Sequence, residues 1–145
     1  MNIDKSSLYT PNDFESEKAS NSYLMSLIAL IAGLPFPILN LIATFIFFLG
    51  NLKGTLFTRW HCTQALLSQV AIVCMNGVGF SWTMSIMFGS NVITNRYLAY
   101  MITIVTFNIF EFIVTMRGAI LTRKGKHDEW WIFGPLTNVI FGINN

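Results

Sequence analysis

The chain has 145 residues, of which 53% are apolar and only 11% are charged, and its formal net charge is +2 at pH 7. An ordinary globular domain carries roughly a quarter charged residues, so this composition argues against a soluble fold. The small net charge, with basic residues at the ends of apolar runs, also argues against nucleic-acid binding. Between residues 23 and 121 the groups that are ionised at neutral pH are Lys53, Arg59, Arg96, Glu111 and Arg117. Because the bilayer core penalises charge and loops do not, this segregation predicts an integral membrane protein.

The chain begins with a polar and acidic segment, residues 1–22, which lacks the features of a secretory signal or an organellar transit peptide. We expect this tail to lack fixed structure or to lie on the membrane surface. The first apolar run, residues 23–50, contains the sequence LPFP, in which Pro35 and Pro37 each remove a backbone donor. This run is therefore predicted to form either one long helix kinked at the prolines or a re-entrant hairpin with two short arms.

Two further apolar runs cover about residues 63–89 and residues 97–121. Each is long enough to cross a hydrocarbon layer of roughly 30 Å at 1.5 Å per residue, and both are predicted to be transmembrane helices. The last part of the chain joins a basic turn to a short apolar stretch with Trp130 and Trp131, which is typical of a helix that lies in the headgroup region.

The sequence thus predicts an all-α membrane helical bundle in three parts. These are a polar N-terminal tail over residues 1–22, a transmembrane domain over residues 23–122, and a basic turn with an interfacial amphipathic segment over residues 123–145. Lys and Arg accumulate on the cytoplasmic side of a membrane. A single crossing of the first run divides them six against three, whereas a hairpin places eight on one side and Arg96 alone on the other. The charges therefore favour the hairpin, with both termini on the cytoplasmic face.

Glu111 lies near the middle of the third apolar run, where a charged side chain costs on the order of 3 kcal/mol to insert. At helical spacing it shares a face with Asn108, Thr115, Gly118 and Thr122. This stripe indicates either a proton, ion or substrate path or a structural carboxyl that is hydrogen-bonded to another helix.

The second run offers a partner surface for that carboxyl. Polar or small residues recur there every seven positions, at Cys62, Gln69, Asn76 and Thr83, and close backbone approach is favoured by Gly77 and Gly79. Residues of this kind usually hold membrane helices together. We predict that Gln69 or Asn76 hydrogen-bonds Glu111.

The sequence contains no catalytic signature, such as GxSxG, HExxH or a phosphate-binding glycine loop, and no close carboxylate pair in the predicted spans. We therefore predict that the protein is not an enzyme. His61 and His127 would lie on the same side of the membrane, but they lack the nearby carboxylate or cysteine ligands of metal and haem sites. The prediction is that there is no metal and no cofactor, and that His61 lies beside Trp60 and Arg59 at the membrane interface.

The segment RWHCTQALLSQ, residues 59–69, resembles the signature of a widespread family of small bacterial multi-pass membrane proteins of unknown function. Members carry a motif close to HGKQALNFQ at the start of the corresponding helix, and the positions that match here are His61, Gln64, Ala65, Leu66 and Gln69. Leu67 and Ser68 stand in place of the Asn and Phe of the motif. The GLPFP break and the Lys-Gly pair after the last run extend the resemblance to roughly residues 23–142.

The same family is distantly similar to the channel subunit of the chloroplast inner-envelope protein import translocon, which has a related arginine, histidine and glutamine pattern before a membrane helix. The corresponding residues here are Arg59, His61 and Gln64. The resemblance implies a bacterial inner-membrane location with both chain ends in the cytosol. It does not by itself transfer a transport activity.

Two functions are therefore expected. The first is a non-enzymatic subunit or scaffold of a larger inner-membrane complex, with membrane-protein partners or further copies of itself in the lipid bilayer. The alternative is a small channel or transporter component for ions or polypeptide, in which Glu111, Asn108, Gln69 and Asn76 contribute to a polar intramembrane path.

Overall fold

The structure is a computed structural model that describes residues 11–28, 37–89 and 91–143. Within these ranges the chain contains no β-strand, and the all-helical class is confirmed for them. The helices are α1 (Asp13–Met25), α2 (Pro37–Gly50), α3 (Leu56–Phe88), α4 (Asn95–Arg123) and α5 (Phe133–Phe141).

Helices α3 and α4 are long and apolar enough to cross a membrane, with 33 and 29 residues. At 1.5 Å per residue they reach about 50 Å and about 44 Å, more than the hydrocarbon layer requires. They run antiparallel, because Gln69 of α3 lies beside Glu111 of α4 whereas Thr83 lies beside Tyr97. Helix α3 begins at Leu56, before its apolar run, and this polar beginning becomes part of the protein core.

The first helix, α1, lies in the segment predicted to lack fixed structure or to lie on the membrane surface. It begins with a capping box, in which the side chains of Asn12 and Glu15 each accept a hydrogen bond from the other residue's backbone nitrogen. Its buried face consists mainly of small residues that pack against α3 and α4, and Ser20 Oγ donates to the carbonyl oxygen of Ala119 at 2.8 Å. The alternative of a tail without fixed structure is therefore wrong for residues 13–22, whereas a position on the membrane surface stays a prediction.

The described residues of the first apolar run, residues 23–50, lie mainly in two helices. Helix α1 ends at Met25, and α2 begins at Pro37, a position where a helix tolerates the missing backbone donor. Helix α2 has 14 residues and so reaches about 21 Å, less than the thickness of the hydrocarbon layer. The turn predicted at Pro35 to Pro37 falls largely in residues 29–36, outside the described residues. The choice between hairpin and kinked span stays a prediction.

Beyond α4 the chain turns back at Gly125, whose φ of 69° lies in the left-handed region that favours glycine. This turn brings residues 128–130 onto the first turns of α3. Trp130 is buried there, with 7% of its surface exposed, and its ring stacks on that of Tyr23 with centroids 5.1 Å apart, whereas Trp131 is 89% exposed. Trp130 therefore belongs to the protein core instead of contacting headgroups directly, while the interfacial position of the segment stays a prediction.

The two glycines of α3 differ in their surroundings, although both were predicted to allow close backbone approach. A Cβ added at Gly79 would collide with Ile104 of α4 and lie 3.6 Å from Tyr100, whereas one added at Gly77 would meet nothing within 4 Å. Close approach is thus confirmed for Gly79 and wrong for Gly77.

This difference provides a matched pair of variants. We expect Gly79→Val to lower the free energy of unfolding by about 1–3 kcal/mol, because the branched side chain overpacks the contact with α4. Gly77→Val, with the same change of helix propensity, should leave the stability of the α3–α4 contact unchanged. Unfolding of the two variants in detergent micelles checks the prediction, and equal destabilisation by both would contradict it.

Candidate functional site

His61 is fully buried in the second turn of α3, at the end of the helix pair where α1 and residues 128–130 meet. Its Nδ1 lies 2.7 Å from the hydroxyl oxygen of Tyr23, and its Nε2 lies 3.2 Å from Nδ1 of His127. His61 is therefore covered by protein, and its position at the membrane interface stays a prediction. The polar first turns of α3 are covered by α1 and by the returning chain, and this excludes His61 from the surface.

The hydrogen bonds of these side chains form a continuous series. Gln64 Nε2 donates to the Tyr23 hydroxyl at 2.8 Å. Burial raises the pKa of Tyr23 well above its ordinary value, so the hydroxyl stays protonated and is able to donate to Nδ1 of His61. In the tautomer of neutral His61 that accepts at Nδ1, the proton on Nε2 points to Nδ1 of His127. The four side chains form one polarised series in which each hydrogen bond strengthens the next.

Gln64 connects three segments of the chain. Its Nε2 also donates to the backbone carbonyl of Asp128 at 3.0 Å, and its Oε1 accepts from the backbone nitrogen of Trp130 at 3.0 Å. The side chain is fully buried, so all of these bonds are shielded from water. Gln64 thereby ties α1 and residues 128–130 to α3.

The motif residues do not share one environment. His61, Gln64 and Gln69 are buried, but Arg59 is exposed and places its guanidinium 5.4 Å from the ring centre of Phe141 in α5. Three of these four residues are therefore buried polar groups, and Gln64 and Gln69 hydrogen-bond other segments of the chain.

Three residues that sequence reasoning did not select complete this end of the bundle: Tyr23, Asp128 and Trp130. The carboxylate of buried Asp128 pairs with Arg117 at 3.2 Å and accepts from Trp130 Nε1 at 3.1 Å. Tyr23 is 38 residues from His61 in the sequence. No local pattern marks such distant partners, although two acidic residues, Asp128 and Glu129, precede the tryptophan pair.

A side chain of α3 hydrogen-bonds Glu111, as predicted. Gln69 Nε2 donates to Glu111 Oε1 at 2.6 Å, and Thr115 Oγ1 donates to the same oxygen at 3.0 Å. The hydrogen bond between Gln69 and Glu111 is therefore confirmed, and the alternative partner, Asn76, lies elsewhere. A functional role for Glu111 stays a prediction.

Two substitutions of Glu111 separate hydrogen bonding from charge. Glu111→Gln keeps an acceptor for Gln69 and Thr115, and we expect its melting temperature in detergent to stay within a few degrees of the wild type. Glu111→Leu leaves the buried amide of Gln69 without its acceptor, which should cost about 1–3 kcal/mol. Equal stability of the two variants would show that the hydrogen bond contributes nothing.

Asn76 and Asn108 form a mutual amide pair, in which each Nδ2 donates to the other Oδ1 at 3.1 Å. Each Nδ2 also donates to a carbonyl of its own helix, at 2.9 Å and 2.8 Å. Further along, the hydroxyl groups of Thr83 and Tyr97 are 3.0 Å apart. Gln69, Asn76 and Thr83 of α3 are thus each paired with a polar side chain of α4, as residues that hold helices together are.

One large cavity, of about 710 Å³, opens beside these pairs, between α3, α4 and residues 128–133. Its wall is largely apolar, and its charged groups are Glu111, Arg117, Asp128 and Glu129. The size falls within the range of small-molecule sites. Of the four polar residues predicted near an intramembrane path, only Glu111 reaches this wall.

Within the described ranges no three His, Cys, Asp or Glu residues are grouped as metal ligands, although His61 and His127 are in contact. The comparisons with protein families, with curated proteins and with solved structures find no match to this chain. The resemblance to the small bacterial membrane family therefore stays a prediction that rests on the sequence motifs alone.

Proposed function

We propose that this protein is a multi-pass protein of the bacterial inner membrane and acts as a non-enzymatic subunit or scaffold of a larger complex. The observation that carries this proposal is the division of side chains on α3 and α4. Polar groups on the facing sides are paired within the chain, while large apolar groups face outward along both helices.

The outward apolar surface is extensive. On α3 and α4 it includes Phe80, Phe88, Ile102, Phe110 and Ile113, all of them more than half exposed. Contiguous apolar surface of this extent needs lipid or protein against it. Lipid chains cover the apolar side chains along the middle of the two helices. Both helices are long enough to extend beyond the hydrocarbon layer.

A second outward surface supports the role in a complex. It consists of residues 131–132 and the exposed side of α5. Trp131, Val139 and Ile140 are exposed there at 89%, 76% and 57%. The neighbouring Arg123 and Lys124 are also exposed. The proposal places this end in the cytoplasm, in keeping with the distribution of Lys and Arg, where a membrane-protein partner or a second copy can dock.

Copurification tests the proposal. The protein is cross-linked in its native membrane, extracted in mild detergent with an affinity tag, and analysed by mass spectrometry and by native mass. We expect a stoichiometric companion or a defined homo-oligomer that is absent from a control preparation of an unrelated multi-pass protein with the same tag. A chain that runs alone, without companion or self-association, contradicts the proposal.

A channel or transporter component is the second candidate, and the placement of Glu111 on the wall of the cavity favours it. Broken hydrophobic segments often mark binding sites in transporters, and the first apolar run is of this kind. Reconstitution in planar bilayers or liposomes tests it through conductance or flux. A conductance that Glu111→Gln leaves unchanged would exclude this carboxyl from the path.

A further inference from the structure

The cavity between α3 and α4 has a strongly uneven distribution of charge. Three carboxyl groups, of Glu111, Asp128 and Glu129, line it together with one guanidinium, that of Arg117. Arg117 is already paired with Asp128 at 3.2 Å, and Glu129 accepts from the amide of Asn138 at 2.7 Å. Within the described residues neither Glu111 nor Glu129 forms an ion pair, and Glu111 is the more enclosed of these two carboxyls because Glu129 is exposed.

Around Glu111 the hydrogen-bond acceptors outnumber the donors. Glu111 receives the amide hydrogen of Gln69, but Gln69 Oε1 is itself buried and has no hydrogen-bond partner in the described part of the chain. An unsatisfied buried acceptor is costly, and it belongs to the same amide that donates to Glu111. The surroundings of Glu111 therefore offer no spare donor and no positive charge to this carboxyl within the described residues.

The cavity wall supplies aromatic faces around this carboxyl. Phe107, Phe110, Trp130, Trp131 and Phe133 contribute to it, and the remaining wall includes aliphatic residues and Met75. Phe107 precedes Glu111 by one helical turn and lies on the same face of α4. Aromatic rings attract a cation through their faces, and the attraction is larger where water is excluded.

We propose that this cavity binds a lipophilic cation, a molecule with an apolar or aromatic body and one positive charge. Its charge would lie against Glu111 and its body against Phe107 and Phe110. An anion or an uncharged apolar molecule would leave the Glu111 carboxyl without a counter-charge, so charge complementarity selects the cation over a lipid acyl chain. The assignment holds whether the chain serves as a scaffold or as a transporter component.

The experiment compares two probes of nearly equal size and opposite charge. Purified full-length protein in mild detergent is dialysed against tetraphenylphosphonium or tetraphenylborate, with protein-free micelles as the blank. We expect saturable binding of tetraphenylphosphonium at about one per chain and no saturable binding of tetraphenylborate. Equal binding of both ions would reveal an apolar slot that is open to lipid chains and would overturn the proposal.

Variants of Glu111 and Phe107 test whether tetraphenylphosphonium binds in this cavity. Glu111→Gln should weaken tetraphenylphosphonium binding at least tenfold, whereas Glu17→Gln, the same change at an exposed carboxylate of α1, should leave it unaltered. Phe107→Leu keeps the apolar surface and removes a ring face, and we expect about threefold weaker binding. This variant keeps the proposal testable if Glu111→Gln fails to fold. Wild-type affinity in both Glu111→Gln and Phe107→Leu would contradict it.

Discussion

Replacing Gln64 by methionine should lower the free energy of unfolding by about 3–5 kcal/mol. Methionine has nearly the same length and fills the same space, but it cannot make the three hydrogen bonds to Tyr23, Asp128 and Trp130. Each of those groups is buried, and a buried donor or acceptor left without a partner costs about 1–3 kcal/mol. Tyr23 belongs to α1, and the other two groups belong to residues 128–130. The substitution should therefore weaken the packing of both segments against α3.

Thermal unfolding in detergent micelles measures this effect. For a chain of this size a loss of 3–5 kcal/mol corresponds to a fall in melting temperature of about 10 °C. Val70→Met is the matched control, since it introduces the same side chain on the exposed side of α3, and it should melt with the wild type. A Gln64→Met variant that melts within about 2 °C of the wild type would mean that Gln64 does not tie the three segments together.

The two long helices were predictable because their signal is continuous along the chain. An unbroken apolar run that is long enough for a bilayer needs no knowledge of its neighbours, and both predicted runs lie within α3 and α4. The Gln69–Glu111 hydrogen bond was predictable for a related reason. One acidic residue on α4 and a seven-residue polar repeat on α3 leave few possible partners, and the antiparallel register decides between Gln69 and Asn76.

Helix α1 was not recognised because its buried face has almost no hydrophobic pattern. Ser16, Ala19 and Ser20 are small rather than apolar, and they are buried because their size lets α1 lie close to α3 and α4. Such a contact depends on the shape of the partner helices, which the local sequence does not contain. The polar character of the segment indicates a solvated tail when it is considered by itself.

The burial of His61 is a second case in which the environment of a residue depends on distant segments that the local sequence does not reveal. Beside an arginine and a tryptophan at the end of an apolar run, a histidine is expected in the headgroup region. Its actual environment is created by Tyr23 and His127, which are 38 and 66 residues away in the sequence. Both partners reach it only after α1 has packed and the chain has turned back at Gly125.

The adjacent tryptophans of the last segment should respond very differently to truncation. Trp130→Ala removes a ring that is buried against Tyr23 and Gly118, where a Cβ on the glycine would lie 3.1 Å from that ring. We expect a loss of about 3–5 kcal/mol, the usual cost of removing a buried aromatic side chain. Trp131→Ala removes a ring that is 89% exposed, and the free energy of unfolding in detergent should change by less than about 0.5 kcal/mol.

Denaturant titration of the two alanine variants in the same detergent decides this point. Both lose the same side chain one position apart, so differences in expression tag, micelle and helix propensity cancel in the comparison. Equal losses would mean that Trp130 is not part of the core and that residues 128–130 do not dock on α3. A loss confined to Trp130→Ala would identify this segment as a structural closure of the bundle, which leaves Trp131 free for contacts outside the chain or with a molecule in the neighbouring cavity.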